Sequence, residues 1–392
     1  MKVLVVTDDK VGPVMAGSAL RAWELSRVVL AAGHEVELTA AQGSGHPEGH
    51  GPPVIARPRW AWADAVLAPP WCLPPRAFIG KHRLVVDGAT PLLAELASIP
   101  SDPDIRRRRR TAAARLPLVA ARADAVLAAG EAQIEWWSKV FARRRGTPIL
   151  DVPFGIPDED PPDEVEDIQG VPGDWDVVLW WGGVWPWLDL ETLLAARARL
   201  GDVKVSIVVP TAVRPGTDTP HFTTGDLLAA ARRHGLEPPA VASLERWVPY
   251  AERHRILNRA SLVAVLHQRG TEADLSFRTR ALDAVWAGVP LLLSEGGTVA
   301  SRARAEGWGG IVPPQDVELT ASALRLLLGR REQNRCRRSL EIHRDDWRWS
   351  AVAQPLVDAL PELGQTPRTS LAAASIAAAT TVLSSPNDPG QR

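Results

Sequence analysis

Twice along this chain, short aliphatic runs alternate with longer segments whose apolar residues recur at helical spacing. Such alternation argues for a parallel sheet covered by helices on both faces. In the first cycle KVLVVT precedes ALRAWELSRVVLAAG, where Leu20, Trp23, Leu25, Val28 and Leu30 keep roughly helical spacing and Gly33 supplies the stop. HEVELTA, DAVLAP, RLVVDG, DAVLAAG and TPILDVP follow as strand candidates, divided by loop signals or helical stretches. The second cycle opens on WDVVLWWGG and continues through the helix DLETLLAARARL, the strand VKVSIVV, the helix PYAERHRILNRA and the strand SLVAVLH. Its next unit is SFRTRALDAVWAGVP at 276–290, a helix-like run before a buried strand, Leu291 to Ser294.

Residues 155–174, GIPDEDPPDEVEDIQGVPGD, are acidic and rich in Pro and Gly, and offer few groups to a core. The expected plan is therefore α/β, with two Rossmann-like doubly wound domains facing each other across a cleft. The boundaries are residues 1–158 for the first domain, 159–174 for a linker and 175–345 for the second domain. A C-terminal helix at 346–362 is expected to pack back on the first domain, and 363–392 to form a disordered tail. Parallel sheets bind ligands outside the carboxyl ends of their strands, so the cleft is the expected site.

With 392 residues the chain is long enough for two cores. Its 45 Lys and Arg against 46 Asp and Glu leave a net charge of -1, which excludes a global field for nucleic acid. Cys72 and Cys336 have neither metal-ligand nor CxxC spacing. The opening MKVLVVTDDK lacks the features of a secretory signal, and LAAASIAAATTVL, at 13 residues, is short of the roughly 20 a membrane helix needs. A cytoplasmic protein is expected.

Five loops carry the candidate chemistry. In TDDKVGPVMAGSALR, Gly12, Met15, Ala16 and Gly17 form an acceptor or phosphate loop that delivers a helix N-terminus to the cleft; the bland alternative is a simple turn. It is not GxGxxG, and HEVELTA ends without the acidic residue of a dinucleotide site, so a nicotinamide cofactor is disfavoured. Asp87 ends the strand of RLVVDG, where it either meets a sugar hydroxyl, acts as a base or caps the following helix. Gly182 and Gly183 allow a phosphate close to the backbone, Trp185 and Trp187 either stack on a base or sugar or simply pack, and Asp189 sits where an N-cap belongs. The run Arg106 to Arg110 is either a solvated helix face or a patch for an anionic membrane surface or phosphorylated acceptor.

The fifth loop is SFRTRALD. Arginine is costly to bury unpaired, so Arg278 and Arg280 meet either carboxylates, with Asp283 or Asp274 available, or a pyrophosphate. Asp283, one helical turn beyond Thr279, is placed to accept from a ribose or sugar diol, and His267 ends the preceding strand. No convincing Glu/His acid–base set stands out at the strand ends.

With these residues assembled, roughly residues 1–360 resemble a GT-B glycosyltransferase of family 4, the retaining group 1 class. GPVMAGSALRAWELSRVVLAAGHEVEL resembles its acceptor-side loop and helix, and VPFGIP the entry to its linker. WWGGVWPWLDLETLLAA and SFRTRALDAVWAGVP resemble a bacterial subgroup written WGGG-W-WLD and SFRTR-LD-WAG-P. In the family's E-x7-E pattern the first glutamate touches the donor sugar and the second the ribose. Here Asp283 takes the second place and Leu275 the first, with Glu272 and Asp274 beside it. The family's Arg and Lys after the second-domain glycines are absent, and Arg278 and Arg280 are the substitutes. The resemblance implies a cytoplasmic, metal-independent transfer from a nucleotide-sugar to an acceptor hydroxyl with retention, in bacterial glycan or glycoconjugate synthesis. It makes Asp87, Arg278 and Arg280 catalytic candidates and Gly182, Gly183, Trp185, His267, Glu272, Asp274, Arg278, Arg280 and Asp283 donor-binding ones, with no metal or other cofactor and no nucleic-acid partner. A nucleotide-sugar epimerase on the same fold and a catalytically silent binding protein are the alternatives.

Overall fold

The computed structural model describes residues 1–47, 49–141, 146–213 and 222–364. The expected tail at 363–392 therefore lies almost wholly outside the described residues. Two all-parallel sheets are present. The first comprises β1 (Lys2–Val6), β2 (Glu35–Thr39), β3 (Val54–Ile55), β4 (Ala65–Ala68), β5 (Arg83–Asp87), β6 (Ala125–Ala128) and β7 (Ile149–Asp151), in the order β3-β2-β1-β4-β5-β6-β7. The second comprises β8 (Asp176–Trp180), β9 (Val205–Pro210), β10 (Val241–Leu244), β11 (Leu262–Val265), β12 (Leu291–Ser294) and β13 (Gly309–Val312), in the order β10-β9-β8-β11-β12-β13. Both are doubly wound, α/β and Rossmann-like, and they face each other across a crevice.

Their strands are apolar on both faces: AVLA in β4 and β6 and LVAV in β11 are buried at every position. A strand covered by helices on both sides has no solvent face to alternate toward, which is why these runs read as continuous rather than period-two. Three strands escape a reading from apolar runs: β3 has two residues, β10 is VASL and β13 opens on two glycines.

Strand order reverses between β1 and β4 in one sheet and between β8 and β11 in the other, and the crevice sits at those switch points. Several contacts tie the lobes together. Gln133, on the helix Glu131–Val140, donates from Nε2 to Leu275 O at 2.7 Å. Phe154 and Phe277 stack with ring centroids 6.1 Å apart. The segment 347–352 returns to the first lobe: Ile156 N donates to Trp347 O and Trp349 N to Ile156 O, and the helix Trp349–Val352 packs near the helix Gly17–Ala31. Among the described residues no helix is long and apolar enough to cross a membrane.

Candidate anion site in the crevice

Two helix N-termini open toward one another across the crevice. The helix Gly17–Ala31 follows the loop after β1, and the helix Thr279–Ala287 precedes β12. A Cβ built on Gly17 would lie 3.9 Å from Thr279 Oγ1, so the two first turns nearly touch. Neither N-cap residue, Ala16 or Arg278, caps with its side chain, and neither first turn holds an acidic residue. Each turns the positive end of a helix dipole toward the same space, although Thr279 N and Ala281 N already donate to Phe277 O and Arg278 O, and Asp9 accepts from Ser18 Oγ at the other helix start.

The second lobe adds fixed charge. Arg278 is 2% exposed; its Nη1 donates to Ser294 O and its Nη2 to Glu295 O at 2.8 Å, while its Nε has no partner. Arg280 Nη1 donates to Gly183 O at 3.0 Å, and a Cβ on Gly182 would stand 3.4 Å from the Arg280 guanidinium carbon. Gly182 has φ +86°, a left-handed conformation that a side chain would strain, so the bare loop after β8 both turns and admits the guanidinium. Burial lowers both arginines to about 10. They stay cationic at neutral pH.

Neither arginine ion-pairs with Asp283 or Asp274, the carboxylates the sequence offered: among the described residues neither makes an ion pair at all. Asp283 instead accepts from Arg253 Nε and from Trp181 Nε1, both at 2.8 Å. Arg253, which sequence reasoning missed, lies between the rings of Tyr250 and Trp286, 3.7 and 4.0 Å from their centroids. Its place inside the basic run ERHRILNR gave no signal. Asp274 is exposed, beside Gly296. Gly296 and Gly297, both with left-handed φ, form a second glycine turn after β12 that approaches Arg278; a Gly pair after a strand, as at Gly182 and Gly183, was the signal for it.

At the end of β11 the structure brings together a pair that sequence spacing did not single out. His267 Nε2 lies 3.7 Å from Glu272 Oε2, both residues are buried, and His267 Nδ1 and Glu272 Oε2 have no hydrogen-bond partner. Burial and the nearby Arg278 and Arg280 hold His267 well below its usual value, in the neutral form. Burial pushes Glu272 up to about 7, against a hydrogen bond from Ser276 that pulls it down. Buried polar atoms are ordinarily paired, so the orphans at His267, Glu272 and Arg278 mark a place built for another group or for water.

Of the readings of RLVVDG, the structure removes the helix cap at Asp87, since the helix Leu92–Ala97 begins behind Pro91. Both Asp87 oxygens accept from Arg21 Nε, at 3.0 and 2.8 Å, and Arg21 was not legible as its partner across 66 residues. Trp185 stacks on Trp187, centroids 5.6 Å apart and planes 6° from parallel, and a Cβ on Gly183 would meet its indole at 3.3 Å. Asp189 is the N-cap of the helix Leu190–Ala198, accepting from Thr192 N. In the first-lobe loop Gly12 and Met15 are buried, and Pro13 O accepts from Tyr250 N of the other lobe at 3.0 Å. Arg106 to Arg110 are all exposed on the helix Pro103–Arg122, with Arg107 paired to Asp104. Among the described residues no group of three or more His, Cys, Asp or Glu is arranged to hold a metal ion.

No protein-family model and no curated protein sequence matches the chain. Solved structures do. Sucrose-phosphate synthase from Thermosynechococcus elongatus is similar over 92% of this chain and 98% of its own, at TM-score 0.63 and 15% identity. Anabaena Alr3699/HepE, solved in complex with UDP-glucose, is similar over 93% of this chain and all of its own, at TM-score 0.63 and 15% identity. WaaG, a glycosyltransferase involved in lipopolysaccharide biosynthesis, matches over the same 93% and 100% at TM-score 0.62 and 16% identity. At such identities the likeness concerns architecture, and the architecture of this chain is the GT-B arrangement of two facing Rossmann-like lobes found in glycosyltransferases.

Proposed function

We propose that the protein transfers a glycosyl unit from a nucleoside-diphosphate sugar to an acceptor hydroxyl, with retention at the anomeric carbon and without a metal. The observation that carries this reading is the convergence of two helix N-terminal ends with two guanidiniums that salt-bridge no carboxylate among the described residues. A diphosphate leaving group develops negative charge as the glycosidic bond breaks, and donors fixed in advance stabilise that charge at no reorganisation cost. Positive groups already in place do the work a divalent cation would otherwise do. The UDP-glucose complex of the structurally similar HepE supports a nucleotide-sugar as donor. Closure of the crevice keeps water from the donor.

A thermal-shift series with UDP, GDP, ADP and dTDP tests the donor half, because a ligand of the native state raises stability by mass action. At least one should raise the midpoint in the presence of chelator. If none does at millimolar concentration, the reading fails.

The His267–Glu272 pair favours a second reading, a nucleotide-sugar epimerase using those groups as acid and base. Incubation with donor alone separates the two: a new sugar isomer means epimerisation, and consumption that requires an acceptor means transfer.

A further inference from the structure

Resting on the transferase reading, we propose that the acceptor is a fused two-ring aromatic alcohol with an acidic substituent, seated in the cavity between Trp71, Trp136, Trp137 and Leu275 with its acid on Arg115. The cavity holds about 250 Å³ and lies between the lobes. Its first-lobe walls come from the turn after β5, the helix Leu92–Ala97, the helix Pro103–Arg122 and the helix Glu131–Val140; Thr271 and Leu275 close it from the second lobe. Those two residues share one turn of helix with Glu272, so the cavity opens beside the candidate anion site.

The shape and chemistry of the walls select the guest. A cavity of ~150 Å³ admits benzene, so this one has room for a second ring. Trp136 and Trp137 meet edge to face, centroids 4.8 Å apart at 84°, and such a pair offers a further aromatic ring both a face and an edge. A polyol would find few hydrogen-bond partners on walls that are mostly apolar.

Among the polar groups that interrupt the apolar lining, the half-buried Arg115 guanidinium, the hydroxyl of Thr90 and that of the exposed Thr271 make no hydrogen bond or ion pair with their side chains among the described residues. By contrast the two buried polar side chains of the wall are satisfied, Gln133 by Ala129 N, Ala89 O and Leu275 O, and Trp137 by Gly88 O. Few polar groups placed in an apolar pocket fix a ligand's orientation. Arg115 takes the acid, and Thr90 or Thr271 meets the hydroxyl at the crevice end. In the transfer the acceptor oxygen forms the new bond to the anomeric carbon, that carbon's bond to the diphosphate oxygen breaks, and the hydroxyl proton leaves on the diphosphate.

Calorimetry on the full chain tests this with 6-hydroxy-2-naphthoate and 2-naphthol as probes. In the unsubstituted protein the naphthoate should bind about tenfold more tightly than the naphthol, the gain of one charge-assisted hydrogen bond. Arg115→Ala should close that gap, and Ala112→Trp, which fills the cavity from its helical wall, should abolish binding of both probes. UDP affinity should be equal in all three proteins. Failure of both probes to bind, or binding that neither substitution alters, overturns the proposal while UDP binding leaves the transferase reading standing. Naphthoate binding by a chain that no nucleoside diphosphate stabilises overturns the acceptor role instead.

Discussion

Arginine on the walls of the crevice is held in two opposite ways: Arg21 on the first lobe, like Arg253 on the second, meets a carboxylate, whereas Arg278 and Arg280 on the second do not. On the first lobe Arg21, 1% exposed, is fully engaged: Nε on both oxygens of Asp87, Nη1 on Pro153 O and Nη2 on Val152 O. On the second lobe Arg278 and the half-buried Arg280 hold only backbone carbonyls and Arg278 keeps an orphan Nε; neither salt-bridges a carboxylate among the described residues, although the Glu272 charge acts on both. A buried ion costs several kcal/mol unless an opposite charge and hydrogen bonds offset it. The paired arginine is thus part of the architecture, tying the helix Gly17–Ala31 to β5 and the segment after β7. The unpaired ones form a site whose missing charge is the ligand's.

The largest effect expected from this contrast falls on the first wall. Asp87→Ala leaves a buried guanidinium without its counter-charge, so stability should drop by about 3–5 kcal/mol. Thermal unfolding reads the drop, and nucleoside diphosphate affinity in the folded fraction should be unchanged. A variant that folds normally and loses nucleotide would reverse the assignment of roles between the walls.

Next in size is Arg280→Ala, which removes two or so charge-assisted hydrogen bonds to a diphosphate and should weaken its binding about 10- to 100-fold, with a smaller loss of midpoint than at Arg278 because only Gly183 O loses its donor. Arg278→Ala should weaken binding similarly but destabilise more, because Ser294 O and Glu295 O lose their donor. Equal stability losses at Arg278 and Arg280 with unchanged affinity would make both structural, like Arg21.

The smaller effects concern Glu272. Its carboxyl, raised to about 7, is largely neutral at pH 6 and ionised at pH 8 beside the arginines. Diphosphate affinity should therefore rise about 3- to 10-fold from pH 8 to pH 6, beyond any change in Glu272→Gln, which lacks the titration. The same shift bears on folding. With a folded-state value above its ordinary 4.5, Glu272 contributes stability that is complete below about 4.5 and lost as pH rises through about 7. His267, shifted down, acts oppositely: its contribution is present above about 6.5 and lost as pH falls toward its folded value. Replacing Glu272 by Gln should flatten the loss between pH 5 and 7.5 in a midpoint-against-pH series.

Much of the fold was legible because burial on both faces writes β4, β6, β11 and β12 as unbroken apolar runs, and because Gly182 and Asp189 mark a turn and a cap by local rules. The quoted run at 276–290 likewise became a helix, Thr279–Ala287, ending at the left-handed Gly288, with β12 after it. Local rules left other positions open: Asp87 as a sugar contact, a base or a cap, and Trp185 as a stacking platform or a packing residue. Their real partners, Arg21 and Trp187, are chosen by packing.

What this chain's order of residues determined by itself was the pair of doubly wound sheets and the ends of strands where chemistry gathers, since periodicity and turn chemistry act between near neighbours. Which arginine meets a carboxylate and which is left with carbonyls alone was decided only by the tertiary structure. Arg21 reaches Asp87 across 66 residues, and Arg280 reaches Gly183 across 97. Charge pairing falls off over a few ångströms in space, so partners this far apart along the chain leave no mark in the order of residues.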